Sequence, residues 1–316
     1  SRTMLAEKET YMAKTTFSGP VRSENGFEIV EKNATTGVVT NRGRIGSTKN
    51  ADRFYLEEYW HQRPGLNAVN IIDPDADDAS ALAVTQAANK NFEVLGTNMT
   101  TALCTFNSTA AGIILTTAGA DQDQAIVCPH LDSNQTIWTG TKWGTENQVE
   151  WECSLNTNAI DNQKLWAGLK LTNDQLIATD ANQAFFKFQT DATNSEAFDD
   201  YTYLHFVHSI GGTDYISQLP ITVAANTNYH LRIKFDSSRK MEIFVNGVQY
   251  NITDTAGSTG GTAVTATDNP EPKGDSKSAA MTDDIDLIPY IGIEAGAAAA
   301  EAVDVHYEAI SRKIFE

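Results

Sequence analysis

Tyr229-His-Leu-Arg-Ile-Lys-Phe-Asp236 sets Tyr229, Leu231, Ile233 and Phe235 in strict alternation with His230, Arg232, Lys234 and Asp236. In an extended chain successive side chains point to opposite faces, so this period of two collects four apolar groups on one side and four polar groups on the other. The stretch reads as a half-buried strand. Downstream, Asp236-Ser-Ser-Arg239 reads as a turn, and Met241, Ile243 and Val245 alternate again around Glu242. Asn246-Gly247 then precedes Val248-Gln249-Tyr250. Asn-Gly between two alternating runs is a strong hairpin signal, because a type I′ turn needs positive φ at both central residues. Three consecutive antiparallel strands follow from this segment alone.

Working outward, similar short runs occupy Leu103 to Phe106, Gly112 to Thr117, Ala125 to Cys128, Val149 to Leu155 and Leu165 to Leu171. Others occupy Ala184 to Gln189, Tyr203 to Ile210, Asp214 to Leu219, Ile285 to Ile293 and Val303 to Ile310. They are separated by Gly, Asn, Asp and Thr turns with hardly any helical pattern between them. That spacing predicts an all-β fold, two packed antiparallel sheets in a sandwich, over residues 92–316. Residues 253–284, with Gly257-Ser-Thr-Gly-Gly261 and Asn269-Pro-Glu-Pro-Lys-Gly274, break the rhythm and read as a long surface loop. Upstream, residues 66–91 read as a linker with at most one short helix, at Ala76 to Ala88 after the start signal Asp73-Pro-Asp75. Residues 1–65 read as an extended N-terminal arm without sustained periodicity.

Charge divides the chain in the same place. Residues 12–55 hold seven Lys or Arg against four acids, whereas residues 56–316 hold fourteen against thirty-five. The basic arm, with Lys14, Arg22, Arg42, Arg44, Arg53 and the apolar Phe17 and Phe27, suits docking on another, acidic surface. Packing against its own acidic body is the other reading of the same charges. The whole chain, 316 residues with net charge -18, argues against nucleic-acid binding, which needs clustered cations to displace counterions, and against anionic membrane. No run approaches the roughly 18 apolar residues of a membrane span. Cys104, Cys128 and Cys153 stand singly in apolar stretches, so they read as small buried hydrophobes of a chain folding in a reducing cytosol.

The search for chemistry predicts no catalytic set, no metal and no cofactor. Glu150 and Glu152 lie two apart on one strand face, opposite Trp151 and Cys153, and read as a solvent-facing acidic pair. Asp73-Pro-Asp75-Ala-Asp77-Asp78 lacks the Gly and the bidentate acid that a calcium loop needs. His205 and His208 are three apart on a strand, so they face opposite ways. Among the tryptophans, Trp151 belongs to the core, while Trp138 and Trp143, beside Gly140 and Gly144, are the candidates for stacking on a sugar at the surface.

The segment from Tyr229 to Gln249 resembles a strand pair of concanavalin A-like and laminin-G-like jelly rolls. Thr136-Ile-Trp-Thr-Gly-Thr-Lys-Trp143 through Cys153, Leu165-Trp-Ala-Gly-Leu-Lys-Leu-Thr172 and the opening Met12-Ala-Lys-Thr-Thr-Phe-Ser-Gly-Pro-Val-Arg-Ser23 are similar to lectin-like structural proteins of marine tailed bacteriophages. The resemblance implies a non-enzymatic virion protein, in particular a capsid decoration (cement) protein. Assembled in the host cytoplasm, it would sit on the capsid surface as a homotrimer and bind the major capsid protein through residues 1–65. The alternative is a carbohydrate-binding adhesin or fibre module that touches host surface glycans through the sandwich face or the 253–284 loop.

Overall fold

The computed structural model describes residues 30–32, 39–41, 52–66, 89–100, 102–129, 143–190, 196–267 and 278–314. In chain order the strands are β1 (Val30–Lys32), β2 (Val39–Asn41), β3 (Arg53–Glu58), β4 (Pro64–Leu66), β5 (Asn89–Gly96), β6 (Cys104–Phe106) and β7 (Ile113–Thr116). Next come β8 (Gln124–Pro129), β9 (Trp143–Gly144), β10 (Glu150–Thr157), β11 (Gln163–Lys170), β12 (Gln183–Gln189), β13 (Tyr203–Ile210) and β14 (Thr213–Thr222). The last six are β15 (Tyr229–Phe235), β16 (Met241–Val245), β17 (Val248–Tyr250), β18 (Thr262–Ala263), β19 (Asp286–Ala295) and β20 (Ala302–Lys313). Apart from single 3-10 turns at Thr145–Asn147 and Ile177–Thr179, no helix occurs among the described residues. The helix expected at 76–88 lies outside them.

Two sheets carry the body. An eight-stranded sheet runs β17-β16-β15-β10-β20-β7-β6, with β3 joining β20 beyond the end of β7. A ten-stranded sheet runs β18-β14-β13-β12-β11-β19-β8-β5-β4, with β9 on β19. The deciding segment behaves as its alternation predicts. Tyr229, Leu231, Ile233 and Phe235 are buried in the core, and Leu231 and Ile233 lie opposite Cys153 and Trp151 of β10. Removing each such side chain from water contributes about 1.5–3 kcal/mol. At the turn, Asn246 and Gly247 have φ of 51° and 78°, the left-handed pair that the hairpin requires.

A bulge in β20 redirects the centre of the eight-stranded sheet. Ser154 faces Tyr307, yet its neighbour Leu155 faces Val305, so His306 is the extra residue. On one side of the bulge Val303 and Val305 point into the core; on the other, Glu308 and Ile310 do. Tyr307 and Ala309 are thereby turned outward, beneath Tyr55.

The sandwich begins earlier than the arm boundary implied. Arg53, assigned to the arm, opens β3, pairs with Lys313 in register and donates to Gln148 O (2.8 Å) and Ser311 Oγ (2.8 Å). The segment Phe54-Tyr-Leu56 has three consecutive apolar residues, which hides its strand period. The other arm residues, Lys14, Phe17, Arg22, Phe27, Arg42 and Arg44, lie outside the described residues. Within the arm, β1 and β2 pair as a hairpin, and β2 runs beside β17. The loop at 253–284 is less excursive than its composition suggested: β18 returns to pair with β14, and Met281 and Ser278 are buried.

All three cysteines are buried, and none is in a disulfide. Burial pushes the Cys104 thiol up to about 12 and raises Cys153 as well, which keeps both protonated and inert.

Candidate functional site

The outer face of the ten-stranded sheet is where alternation leaves its most polar side chains, and the structure seals it. Segments 171–182 and 196–202 fold back over this face. Beneath them Trp166, Phe185, Val207, Ile216 and Tyr290 form a second hydrophobic cluster with Ile177 and Phe198 of the covering segments. Trp166 lies flat against β19 because Gly292 has no side chain: a Cβ there would stand 2.3 Å from the indole.

Three lysines on the polar phase of their strands are buried in this second layer. Lys164 Nζ contacts Glu294 Oε1 at 2.6 Å, Lys170 Nζ contacts Asp180 Oδ2 at 3.1 Å, and Lys187 Nζ contacts Glu196 Oε1 at 3.6 Å. Lys187 also donates to Gln175 O (2.8 Å) and Gln175 Oε1 (2.6 Å), and Lys170 donates to Gln183 Oε1. Burial drives Lys187 down to about 7, against the opposing pull of Glu196. An amine of that acidity would suit base or nucleophile chemistry if a substrate could reach it, but Gln175 and the 171–182 segment close it off completely. A buried cation without its partner is costly, so Lys170–Asp180 and Lys187–Glu196 clamp the covering segments to the sheet, while Lys164–Glu294 ties β11 to β19 within it.

Beside this sealed layer lies an open cleft of about 560 Å3. One wall is Ala197 to Tyr201 and the other Thr255 to Thr262, with Ile216 of β14 at its base. The two walls are joined by a hydrogen bond from Gly260 N to Ala197 O. The second wall is also pinned to β14 through Gly257 N to Asp214 O (2.8 Å), Val264 N to Gln218 O (3.0 Å) and the β18 pairing. Asp199 reaches across to within 3.0 Å of where a Cβ on Gly260 would sit; Gly260 has φ of 77°, so the position suits glycine twice over. Tyr201 is 37% exposed at the mouth. Below, Phe198 stacks on His205 with ring centroids 3.9 Å apart, and Gly261 lies over the imidazole. Burial drives His205 down to about 4, so the floor of the cleft carries no positive charge at neutral pH.

Of the two tryptophans proposed for surface stacking, Trp143 is corrected: it is 1% exposed, part of the core, and packs against Phe54 at 5.8 Å. Pairing of β9 with β19 buries it, an outcome that a neighbouring glycine does not signal. Trp138 lies outside the described residues. Glu150 and Glu152 are not a solvent-facing pair. Glu152 is fully buried on the outer side of β10, where it accepts from Tyr307 Oη at 2.7 Å. Burial pushes this carboxyl up, but hydrogen bonding to His230 and the nearby charge of Arg232 outweigh it and hold the group below its ordinary value. Glu150 instead pairs with Arg232 (3.3 Å) and Arg53 (3.8 Å). His205 and His208 do face opposite ways, His208 stacking on Tyr215 inside the sandwich. Among the described residues no group of three His, Cys, Asp or Glu is placed to hold a metal ion.

No family model matches the chain, and no curated protein matches it. Its likenesses are to solved structures. A family 7 alginate lyase variant in complex with substrate is 11% identical, covering 69% of this chain and 85% of its own, with a TM-score of 0.40. The Bacillus licheniformis β-glucanase is 10% identical over 83% of this chain and 99% of its own, TM-score 0.40. Peanut lectin with a nonapeptide is 10% identical over 84% of this chain and all of its own, TM-score 0.42. Lectins and polysaccharide-cleaving enzymes thus stand side by side among these sandwiches, at levels of likeness that leave function to be argued from this chain's own residues.

Proposed function

We propose that this chain is a structural protein of a tailed-phage virion, a capsid decoration protein. Its basic N-terminal segment holds it on the major capsid protein, and its acidic sandwich faces solvent. The observation that carries this reading is the division of charge at the body's edge: a net of +3 over residues 12–55 against -21 over residues 56–316. Opposite charge on a segment outside a self-repelling body favours its docking elsewhere while the bodies stay apart. Arg53 supports the reading by fixing where the segment leaves. Its guanidinium is tied to Gln148, Ser311 and Glu150, so whatever precedes Asp52 departs from a rigid point on the eight-stranded sheet. The sealed face with its clamped lysines suits a durable scaffold, and copies arranged as a trimer would present three such segments to one capsid site.

The structure also sets where to cut. Deletion of residues 12–51 preserves β3, whereas deletion through Tyr55 would remove half of that strand. The shortened chain is expected to keep its β-sheet circular dichroism and melting temperature but to be lost from purified capsids on sedimentation. Full occupancy by the shortened chain would refute the anchoring role.

A further inference from the structure

We infer that Lys187 and Gln175 are partners in an intramolecular isopeptide bond that the chain makes for itself inside the sealed layer of the ten-stranded sheet. Closure keeps outside substrates from Lys187, but one electrophile is enclosed with it. Lys187 Nζ stands 2.6 Å from Gln175 Oε1 and 2.8 Å from Gln175 O, so a single residue meets the amine twice. The side-chain amide carbon lies one C=O bond of about 1.23 Å beyond Oε1, which puts nucleophile and carbon less than about 4 Å apart. Turning the amide about its last side-chain torsion, a soft one, presents the face of that carbon to the amine. Both residues are buried, so bulk water does not compete for the carbon.

Attack needs the amine without its extra proton. Burial, with Lys170 and Lys164 nearby, lowers Lys187 to about 7 against the pull of Glu196 and Glu294, so about half of it is neutral at pH 7. Glu196 is placed to move the proton. Its Oε1 is 3.6 Å from Nζ and accepts from the Ile177 backbone amide at 2.7 Å, while Glu196 N donates to Gln189 Oε1 at 3.2 Å. A shift of about half an ångström brings the carboxylate into hydrogen-bond reach of the amine. In the step, Nζ bonds to Cδ of Gln175, the Cδ–Nε2 bond breaks, and Glu196 carries one proton from Nζ to the departing nitrogen, which leaves as ammonia. Nothing is oxidised or reduced, and no further reactant enters. Holding both groups in one geometry stands in for a very high concentration, on the order of 10⁵–10⁸ M for well-oriented intramolecular reactions, which offsets the low reactivity of an amide. Lys170 meets Gln183 in the same layer but is the poorer pair. Burial lowers Lys170 too, yet Asp180 Oδ2 at 3.1 Å favours its charged form, and Gln183 Nε2 already donates to Ile177 O (2.6 Å) and Ser209 Oγ (2.8 Å). The bond therefore belongs to Lys187 and ties β12 to the 171–182 segment. It needs no capsid, so its test is separate from that of the anchoring role.

The test is mass spectrometry of the full chain, incubated folded at pH 8 and then denatured. The expected mass is lower than the encoded one by one ammonia, and a protease digest should yield a branched peptide joining Lys187 to Gln175. Lys187→Met should keep its full encoded mass, as should Glu196→Gln, which retains both partners; a circular dichroism melt shows that each variant folds. The first readout is made on the parent, so a variant that fails to fold leaves the test intact. Four outcomes overturn the inference: a folded parent at its full encoded mass, an ammonia loss that persists in Lys187→Met, a bond mapped to Lys170 and Gln183 instead, or a bond as complete in folded Glu196→Gln as in the parent.

Discussion

Glu308 offers a sharp physical test of the bulge that turns β20. Its carboxyl points into the core opposite Cys153, fully buried, with Oε1 accepting from Trp151 Nε1 at 3.0 Å. Burial pushes it from 4.5 up to about 8, the Trp151 hydrogen bond opposes that rise, and the negative charge of Glu58 adds to it. A folded-state value above the unfolded one means that stability is fully present below about pH 4.5, where both states hold the proton. As pH rises the unfolded chain releases it first, so stability is lost progressively between about 4.5 and 8. At 1.36 kcal/mol per unit this loss is on the order of 5 kcal/mol above pH 8. Glu308→Gln keeps an acceptor for Trp151 and removes the titration. Any fixed cost of burying the amide, about 1–3 kcal/mol, is the same at every pH and cancels when two pH values are compared. Differential scanning calorimetry of parent and variant at pH 4.5 and 8.5 should therefore show the melting-temperature difference moving in the variant's favour. At about 2 °C per kcal/mol for a body of this size, the movement is roughly 10 °C. A difference that stays constant with pH would mean that Glu308 titrates in solvent and that the β20 bulge is misplaced.

The buried ion pairs of the outer face are tested by Lys164–Glu294, which links β11 to β19. Lys164→Met and Glu294→Leu should each cost about 3–5 kcal/mol by leaving one buried charge, and the double variant should recover most of that loss in denaturant titration. Purely additive losses would refute the pairing. The buried thiols predict a kinetic result: Cys104, Cys128 and Cys153 should not react with a maleimide in the native protein, and should all react once it is unfolded. Fast native labelling at any of the three would show that its strand is exposed.

The fold was legible where side chains alternate in strict register with one face in a single core. Tyr229 to Tyr250 declares three strands and a type I′ turn without help, and each of the other strand runs read from the sequence falls on an observed strand. The alternation misleads where tertiary structure adds something to it. Val303, Val305, Tyr307 and Ala309 look like one apolar face, yet the bulge at His306 sends the last two outward and puts Glu308 inside. Lys164, Lys170 and Lys187 occupy the polar phase of their strands and so look solvent-facing; nothing local announces that residues 171–182 and 196–202 will cover them. Trp143 was drawn to the surface by its glycine neighbour, although β9 pairing with β19 decides its place. The cleft is illegible for another reason. Asp199 and Gly260 are far apart in sequence and meet only because β18 returns to β14, so the Gly257 to Gly261 run reads as nothing more than a loop until the sheet is assembled.

The central claim is that the acidic sandwich stands on a capsid and is held there by the segment preceding Asp52. An image reconstruction of the native particle at side-chain resolution tests it most directly. The expected result is the two-sheet body on the outer surface of the shell, with part of residues 12–51 in contact with the major capsid protein while β2 stays beside β17. Finding the body on the tail, or the segment folded back on its own sandwich with no capsid contact, would contradict it.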